Sequence, residues 1–253
     1  MAEIEPKAKV AEIFSSIQGE GRWVGRRQVF VRFAGCNLHC VYCDTRTNIV
    51  TRAAIERPPG SSIIDYIDGE LSPNQTAEAV KSLLSPERSY HSISLTGGEP
   101  LLVGAKFINA FAEAVADTGL PVHLETNGTL PKVLEEVINS LGLISMDVKI
   151  PSATGEPPQY EVNREFLEIT ARKECCVKVV FVPETQRKEI EAAVDVVAQV
   201  DPSIPFILQP ATPGGPVKRY PMPVLMFSFY DLASSRLKDV KIIPQTHRFL
   251  RLR

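Results

Sequence analysis

Seven short apolar runs recur along this 253-residue chain, and stretches of helical periodicity separate them. The runs cover residues 29–34 (VFVRFA), 92–96 (SISLT), 122–126 (VHLET), 143–149 (LISMDVK), 176–182 (CVKVVFV), 205–210 (PFILQP) and 240–245 (VKIIPQ). Their near-continuous apolar character suits strands covered on both faces, as in parallel sheets. Helical patterns fall at 76–84, 106–118, 131–141, 163–173, 185–200 and 223–237. In the second of these, Phe107, Phe111, Ala114 and Val115 form one apolar stripe, and Gly119 suits the position just past a helix end. Strand–helix alternation of this kind implies βαβ units. About six fit, fewer than the eight of a complete barrel. The expected fold class is therefore α/β, an open, partial β/α barrel. One domain over 1–253 accounts for the whole length, with residues 46–74 (including RPPGSS) as a long irregular surface insertion.

Composition narrows the function classes. Hydrophobic residues make up 44% and charged residues 23%, ordinary for a globular protein. A net charge of −2 advertises no basic field, so direct nucleic-acid binding is not expected. The start, MAEIEPKAKVAEIF, lacks the apolar run of a signal peptide, and no stretch reaches the length of a membrane span. The expected location is the cytoplasm. In that reducing setting, clustered thiols read as metal ligands or catalytic groups rather than as a disulfide framework.

Three of the five cysteines lie within FAGCNLHCVYCDT, residues 33–45, spaced Cys36-x3-Cys40-x2-Cys43. A tetrahedral zinc site takes four ligands, usually as two separated pairs. The remaining cysteines, Cys175 and Cys176, are adjacent and open a core strand, where buried structural thiols are expected. Three ligands on one short loop can instead hold three irons of a cubane cluster. The fourth iron then stays open to a small molecule with N and O donors. A zinc loop is the rival reading. His39, His91 and His123 carry no metal spacing.

The cysteine spacing, with Tyr42 before the last thiol, resembles the signature of the radical S-adenosylmethionine (SAM) superfamily. The resemblance implies a 4Fe-4S cluster on Cys36, Cys40 and Cys43, with Tyr42, Cys43 and Asp44 beside SAM. LTGGEP, residues 95–100, matches the family's Gly-Gly-Glu motif, which receives the methionine amino group. Gly98 and Glu99 are its candidates here, Glu99 either meeting the ammonium or stabilising the loop. Asn127 in ETNGT and the trio Asp147, Val148 and Lys149 occupy the family's other SAM-contacting positions, at the ends of two expected strands.

A narrower resemblance covers nearly the whole chain. The segment EIFSSIQGEGRWVGRRQVFVRFAGC, with TGGEP, ETNGT and PQTHRFLRLR, resembles the 7-carboxy-7-deazaguanine synthases. It implies that the loop Ile17, Gln18, Gly19 and Glu20 binds a carboxy-tetrahydropterin. The residue types agree: an amide and a carboxylate can match the N–H edge of a pterin, and a bare glycine backbone lets a flat ring lie close. Arg32 could hold the substrate carboxylate through a bidentate pair. Thr96 is the matching family contact to substrate, and Thr45 the family's Mg²⁺ ligand. Mg²⁺ commonly takes only one or two protein ligands together with anionic substrate oxygens. The α-carboxylate of Arg253, six residues beyond His247, is expected near the pocket as an acceptor for pterin N–H groups. Two departures from the family stand out: Asp147-Val148-Lys149 where other members read Ser-Pro-Lys, and the segment 46–74.

The implied reaction is ring contraction of 6-carboxy-5,6,7,8-tetrahydropterin to 7-carboxy-7-deazaguanine with loss of ammonia, on the way to queuosine- or archaeosine-type tRNA bases. A deoxyadenosyl radical made from SAM takes a hydrogen from the pterin and later returns it. The family further implies a homodimer and a flavodoxin- or ferredoxin-like electron donor. An activating protein of the glycyl-radical enzymes shares the cysteine signature, but it would leave Gln18–Gly21, Arg32 and Thr45 unexplained.

Overall fold

A computed structural model describes residues 5–43, 50–86 and 89–252. Asp44, Thr45 and Arg253 lie outside the described residues. The chain opens with β1 (Ala8–Ile17), β2 (Arg27–Phe33), β3 (Arg52–Glu56), β4 (Ile64–Asp68), β5 (Glu70–Leu71) and α1 (Pro73–Lys81). It continues with β6 (Ser92–Gly97), α2 (Ala105–Ala114), β7 (Val122–Thr126), α3 (Pro131–Val137), β8 (Leu143–Asp147), α4 (Pro151–Thr154) and α5 (Tyr160–Thr170). Last come β9 (Glu174–Phe181), α6 (Arg187–Val200), β10 (Phe206–Pro210), α7 (Pro223–Ser234), β11 (Val240–Ile242) and α8 (Thr246–Leu250).

One sheet holds these strands in the order β11-β10-β9-β8-β7-β6-β2-β1-β3-β4, with β5 also on β1. From β2 to β11 every pairing is parallel, so six crossovers join seven parallel strands. That is the open, partial barrel expected from the apolar runs. Each expected strand is present, with ends displaced by a few residues. Residues 143–149 stop extending at Asp147, and 240–245 at Ile242. The helical stripe at 106–118 forms α2 followed by a 3-10 turn, and Gly119 closes it in the left-handed conformation at φ 67°.

Two features of the first 75 residues correct the sequence reading. β1 was not anticipated; it pairs antiparallel with β2 and buries Val10, Ile13 and Phe14. The segment 46–74, expected as irregular, contains a hairpin in its described part. β3 adds to β1 in parallel, through Glu12↔Ala54 and Ile13↔Ile55, and β4 folds back on β3. Ala53 and Ile55 point into the core, which is why so short and polar a run still holds as a strand. α1 also starts three residues earlier than its apolar periodicity suggests. Ser72 caps it, and Gln75 returns the bond to the Ser72 backbone.

The core lies between the sheet and its helices and includes Phe107 and Phe111 of α2, Phe166 of α5 and Phe229 of α7. A smaller cluster of Trp23, Leu143, Cys176 and Ile207 sits near the starts of β8, β9 and β10. Trp23 also meets the His123 ring edge-on at 4.7 Å. The β1–β2 loop therefore fills the end of the barrel opposite the cysteine loop. Among the described residues, no helix is long and apolar enough to cross a membrane.

Phe107 is fully buried and packs its ring edge-on against Phe33, the last residue of β2 before the cysteine loop, at 5.7 Å. Phe107→Ala is expected to lower unfolding stability by about 3–5 kcal/mol, read from the midpoint of a urea transition.

Candidate active site

A cavity of about 740 Å³ opens at the C-terminal ends of the parallel strands. At one side stands the cysteine loop, which leaves β2 and brings Cys36, Cys40 and Cys43 to the cavity as free thiols. Burial pushes the Cys36 and Cys40 thiols up from their ordinary value. Gly97 and Gly98 hold this loop against β6. The Gly98 amide donates to Phe33 O at 3.1 Å, and Glu99 N donates to Gly35 O at 2.9 Å. A Cβ on Gly98 would lie 1.6 Å from Gly35 O, and Gly97 sits at φ 116°. The paired glycines are thus required by the approach of two backbones, whatever binds in front of them.

Glu99 lies behind that surface. It is fully buried and does not line the cavity. Its carboxylate accepts from Asn127 N at 2.8 Å, Thr126 Oγ1 at 2.9 Å and Leu101 N at 3.1 Å. Burial pushes its carboxyl up to about 7, against the pull of those three donors. Of the two roles expected for Glu99, the structure contains the loop-stabilising one. Asn127 faces the cavity, donating to Asn37 Oδ1 at 2.8 Å and accepting from Thr129. Val148, of the expected trio, has its side chain buried in the core and does not line the cavity.

A chain of alternating charges crosses the lumen. Glu20 pairs with Lys178 on β9 and accepts from Gln245 Nε2 at 2.7 Å. Lys178 also lies 3.4 Å from Asp147 Oδ1. Asp147 Oδ2 binds Lys149 at 2.6 Å, and Lys149 donates to the Tyr42 hydroxyl at 2.7 Å. Burial pulls the Glu20 carboxyl upward, but the Lys178 ammonium and the Gln245 amide outweigh it and hold the group at about 2. Lys178 is held above its ordinary value, because Asp147 and Glu20 overcome the cost of its burial. Burial pushes the Tyr42 phenol up, so it faces Lys149 as a neutral hydroxyl.

Gln18 positions the loop from below, donating to Glu125 Oε1 at 2.8 Å and accepting from Glu20 N at 3.0 Å. Glu125 also receives Ser94 Oγ at 2.7 Å and Thr96 Oγ1 at 3.2 Å. Beneath it His123 bonds Ser145 Oγ at 3.0 Å, and burial drives its imidazole down to about 4, leaving it neutral. Arg32 lines the cavity with its Nε on Glu12 Oε1 at 2.6 Å, so the arginine reaches any ligand from within an ion pair. Ile17 and Gly19 line the cavity too. Thr246 N donates to Gly19 O at 2.9 Å, and a Cβ on Gly19 would collide with the His247 ring. That contact carries α8 back onto the loop.

The geometry thus gathers Ile17, Gln18, Gly19, Glu20, Arg32, Cys36, Cys40, Tyr42, Cys43, Thr96, Gly98, Asn127, Asp147 and Lys149 around one space. Sequence reasoning passed over Glu125, Lys178, Gln209, Gln245 and His247, which line it as well. A signal for two of them was present: Lys178 and Gln209 are isolated polar residues inside apolar strands.

Residues 30–195 match the Radical SAM superfamily. The chain is 41% identical over 251 residues to the 7-carboxy-7-deazaguanine synthase of Geobacter sulfurreducens, covering 97% of this chain and 98% of that protein. It is 33% identical to the enzyme of the same name from Methanothermobacter thermautotrophicus, covering 98% of each. The chain belongs to the 7-carboxy-7-deazaguanine synthase family of radical SAM proteins. Its fold is also that of the crystal structure of QueE from Escherichia coli, at a TM-score of 0.59 and 19% identity over 95% of both chains.

Membership of this family brings a 4Fe-4S cluster and SAM, and the residues present fit both. Among the described residues, no three His, Cys, Asp or Glu side chains converge on one point as a lone metal ion requires. Thiolates that bind three different irons need no such convergence. Cys36, Cys40 and Cys43 line the same cavity as Asn127, Asp147 and Lys149.

The Glu20 pair has a pH signature. Its carboxyl is held at about 2 against an ordinary 4.5, so its contribution is complete above pH 4.5 and lost as the pH falls toward 2. Urea unfolding followed across that window should show Glu20→Gln flattening the acid limb by on the order of 2–3 kcal/mol.

Proposed function

We propose that this chain catalyses the ring contraction of 6-carboxy-5,6,7,8-tetrahydropterin to 7-carboxy-7-deazaguanine with release of ammonia, as a cytoplasmic enzyme of deazapurine biosynthesis. The observation that carries the reading is the meeting of the cysteine loop and the Gln18–Glu20 loop on one cavity, in a chain alignable end to end with synthases of that name. Cys36, Cys40 and Cys43 hold the cluster, and Asn127, Asp147 and Lys149 meet SAM. When bound, cluster and SAM supply the deoxyadenosyl radical that removes and returns the substrate hydrogen. The protein's own part is to bind, orient and exclude water. Glu20, ionised beside Lys178, accepts N–H groups of the pterin; Arg32 attracts the carboxylate; and the β1–β2 loop shuts the far end of the lumen. Thr45 adds a hydroxyl ligand for Mg²⁺, which in turn takes the substrate carboxylate. A homodimer and a flavodoxin- or ferredoxin-like electron donor complete the reading. End-to-end similarity to the synthases does not favour a glycyl-radical activating protein.

The decisive experiment is anaerobic incubation of the cluster-loaded protein with SAM, a reductant and the carboxypterin, followed by mass spectrometry. Expected is 7-carboxy-7-deazaguanine in excess of the SAM consumed; SAM cleavage without it would overturn the assignment. Cys36→Ala should abolish both iron binding and SAM cleavage, whereas Cys175→Ala, at a buried core thiol, should leave iron content near normal. Turnover should rise with added Mg²⁺, and Thr45→Ala should weaken that rise. Full activity of the unmodified protein in chelator would refute the Mg²⁺ role.

A further inference from the structure

The β1–β2 ladder is irregular beside Arg32, the side chain that meets the substrate carboxylate in the function proposed above. Val10 of β1 lies opposite Phe33 of β2, but Glu12 lies opposite Arg32, so β1 advances two residues where β2 advances one. Such a bulge exchanges the faces of every residue beyond it. Val10 and Phe33 point into the core. In an unbroken ladder Glu12, two residues further on, would share that side with them. With the bulge Ile13 takes the core face instead, and Glu12 and Phe14 turn to the face that carries Phe30 and Arg32. Arg32 is then held from two directions. Its Nε donates to Glu12 Oε1 at 2.6 Å, a charge-assisted bond, and its guanidinium carbon lies 5.5 Å from the centre of the Phe14 ring. Phe14 is itself stacked on Phe30 at 5.2 Å. Arg32, Phe14 and Phe30 line the cavity, and Glu12 does not.

We infer that Glu12 is a positioning residue for the substrate carboxylate: it acts through Arg32, fixing the guanidinium before the ligand arrives. The inference rests on the function proposed above and extends it to a side chain that touches no ligand. An arginine has a long, rotatable stem, and gripping an anion requires that stem to be ordered. Here the ordering is done in the folded protein, by a bond at Nε and a ring against the guanidinium. Both restraints come from β1, and both depend on the same bulge, since it turns Glu12 and Phe14 to the lumen together. Glu12 also opposes the ligand, because its own charge repels an incoming carboxylate. Positioning and repulsion have opposite signs, and side-chain chemistry separates them. Glutamine keeps an acceptor for the Arg32 Nε–H and removes the charge; alanine removes both. A cross-strand pair that served the sheet alone would affect stability and leave binding untouched.

The test is anaerobic calorimetry on the cluster-loaded protein with two probes: 6-carboxy-5,6,7,8-tetrahydropterin, and the same tetrahydropterin without its carboxylate. The unmodified protein should bind the carboxylated probe at least about tenfold more tightly, as a charge-assisted contact requires. Glu12→Ala should weaken that probe at least about fivefold, the worth of one side chain left to be ordered on binding, and leave the other probe within about twofold. Glu12→Gln should bind the carboxylated probe at least as tightly as the unmodified protein, because Arg32 stays bonded and the repulsion is gone. Glu12→Ser, too short to reach Nε, is the second truncation and should behave as alanine does, so the test does not hang on one variant folding. Carboxypterin affinity unchanged or raised in the truncations overturns the inference and leaves Glu12 as a partner in the sheet. Equal weakening in Glu12→Gln overturns it as well, and so does a loss that strikes both probes alike. If the unmodified protein fails to distinguish the two probes, the proposed function fails at Arg32 and the inference falls with it; discrimination that survives in Glu12→Ala overturns the inference alone.

Discussion

A lysine ammonium inside the barrel organises this protein. Lys178 projects from the buried, apolar run of β9 into a space where an unpaired charge would be costly. It is satisfied by two carboxylates from distant parts of the chain, Glu20 from the loop after β1 and Asp147 from the end of β8. Asp147 passes the requirement on to Lys149, and Lys149 to Tyr42 in the cysteine loop. The loop that resembles a pterin site, the strand ends assigned to SAM and the cluster loop are therefore joined by one line of ion pairs and hydrogen bonds. Replacing Lys178 leaves Glu20 and Asp147 short of their shared cation, so the regions they hold are set together.

The backbone contributes a second constraint of a different kind. The cysteine loop leaves β2 only because Gly97 and Gly98 allow β6 to approach Phe33 and Gly35 at a distance that excludes any side chain. Glu99, spending both oxygens on Asn127, Thr126 and Leu101, then ties the end of β7 to the same corner. The motif that looks like a ligand-binding turn in the sequence is first a packing device. What it leaves on the cavity surface is chiefly Gly98 and Asn127.

Much was legible in the chain before any fold was known. Seven apolar runs alternating with helical periods give a parallel sheet, because a strand buried on both faces cannot afford polar alternation. Cys36, Cys40 and Cys43 give a three-thiol loop, because thiols so closely spaced on one short segment read as a metal-ligand set rather than as a disulfide framework. The hairpin of β3 and β4 was not legible. Its short, partly polar strands carry little periodicity and are stable only where β1 supplies an edge and the core accepts Ala53 and Ile55. β1 escaped notice for a similar reason, since its sequence AKVAEIFSSI alternates imperfectly around a register shift between Val10 and Glu12.

What the sequence by itself determined is the set of candidate residues: thiols at a fixed spacing, an amide and a carboxylate beside glycine, an arginine on the first parallel strand. Those identities are local and survive in one dimension. Only the tertiary structure decided how they are held. It committed Arg32 to Glu12, withdrew Glu99 and Val148 from the cavity, brought α8 onto Gly19, and set Lys178 and Gln209 in the lumen. Each of these depends on strands far apart in the chain turning toward one enclosed space, where low polarity makes a paired charge strong and an unpaired one expensive. Spacing along a sequence carries no record of that enclosure.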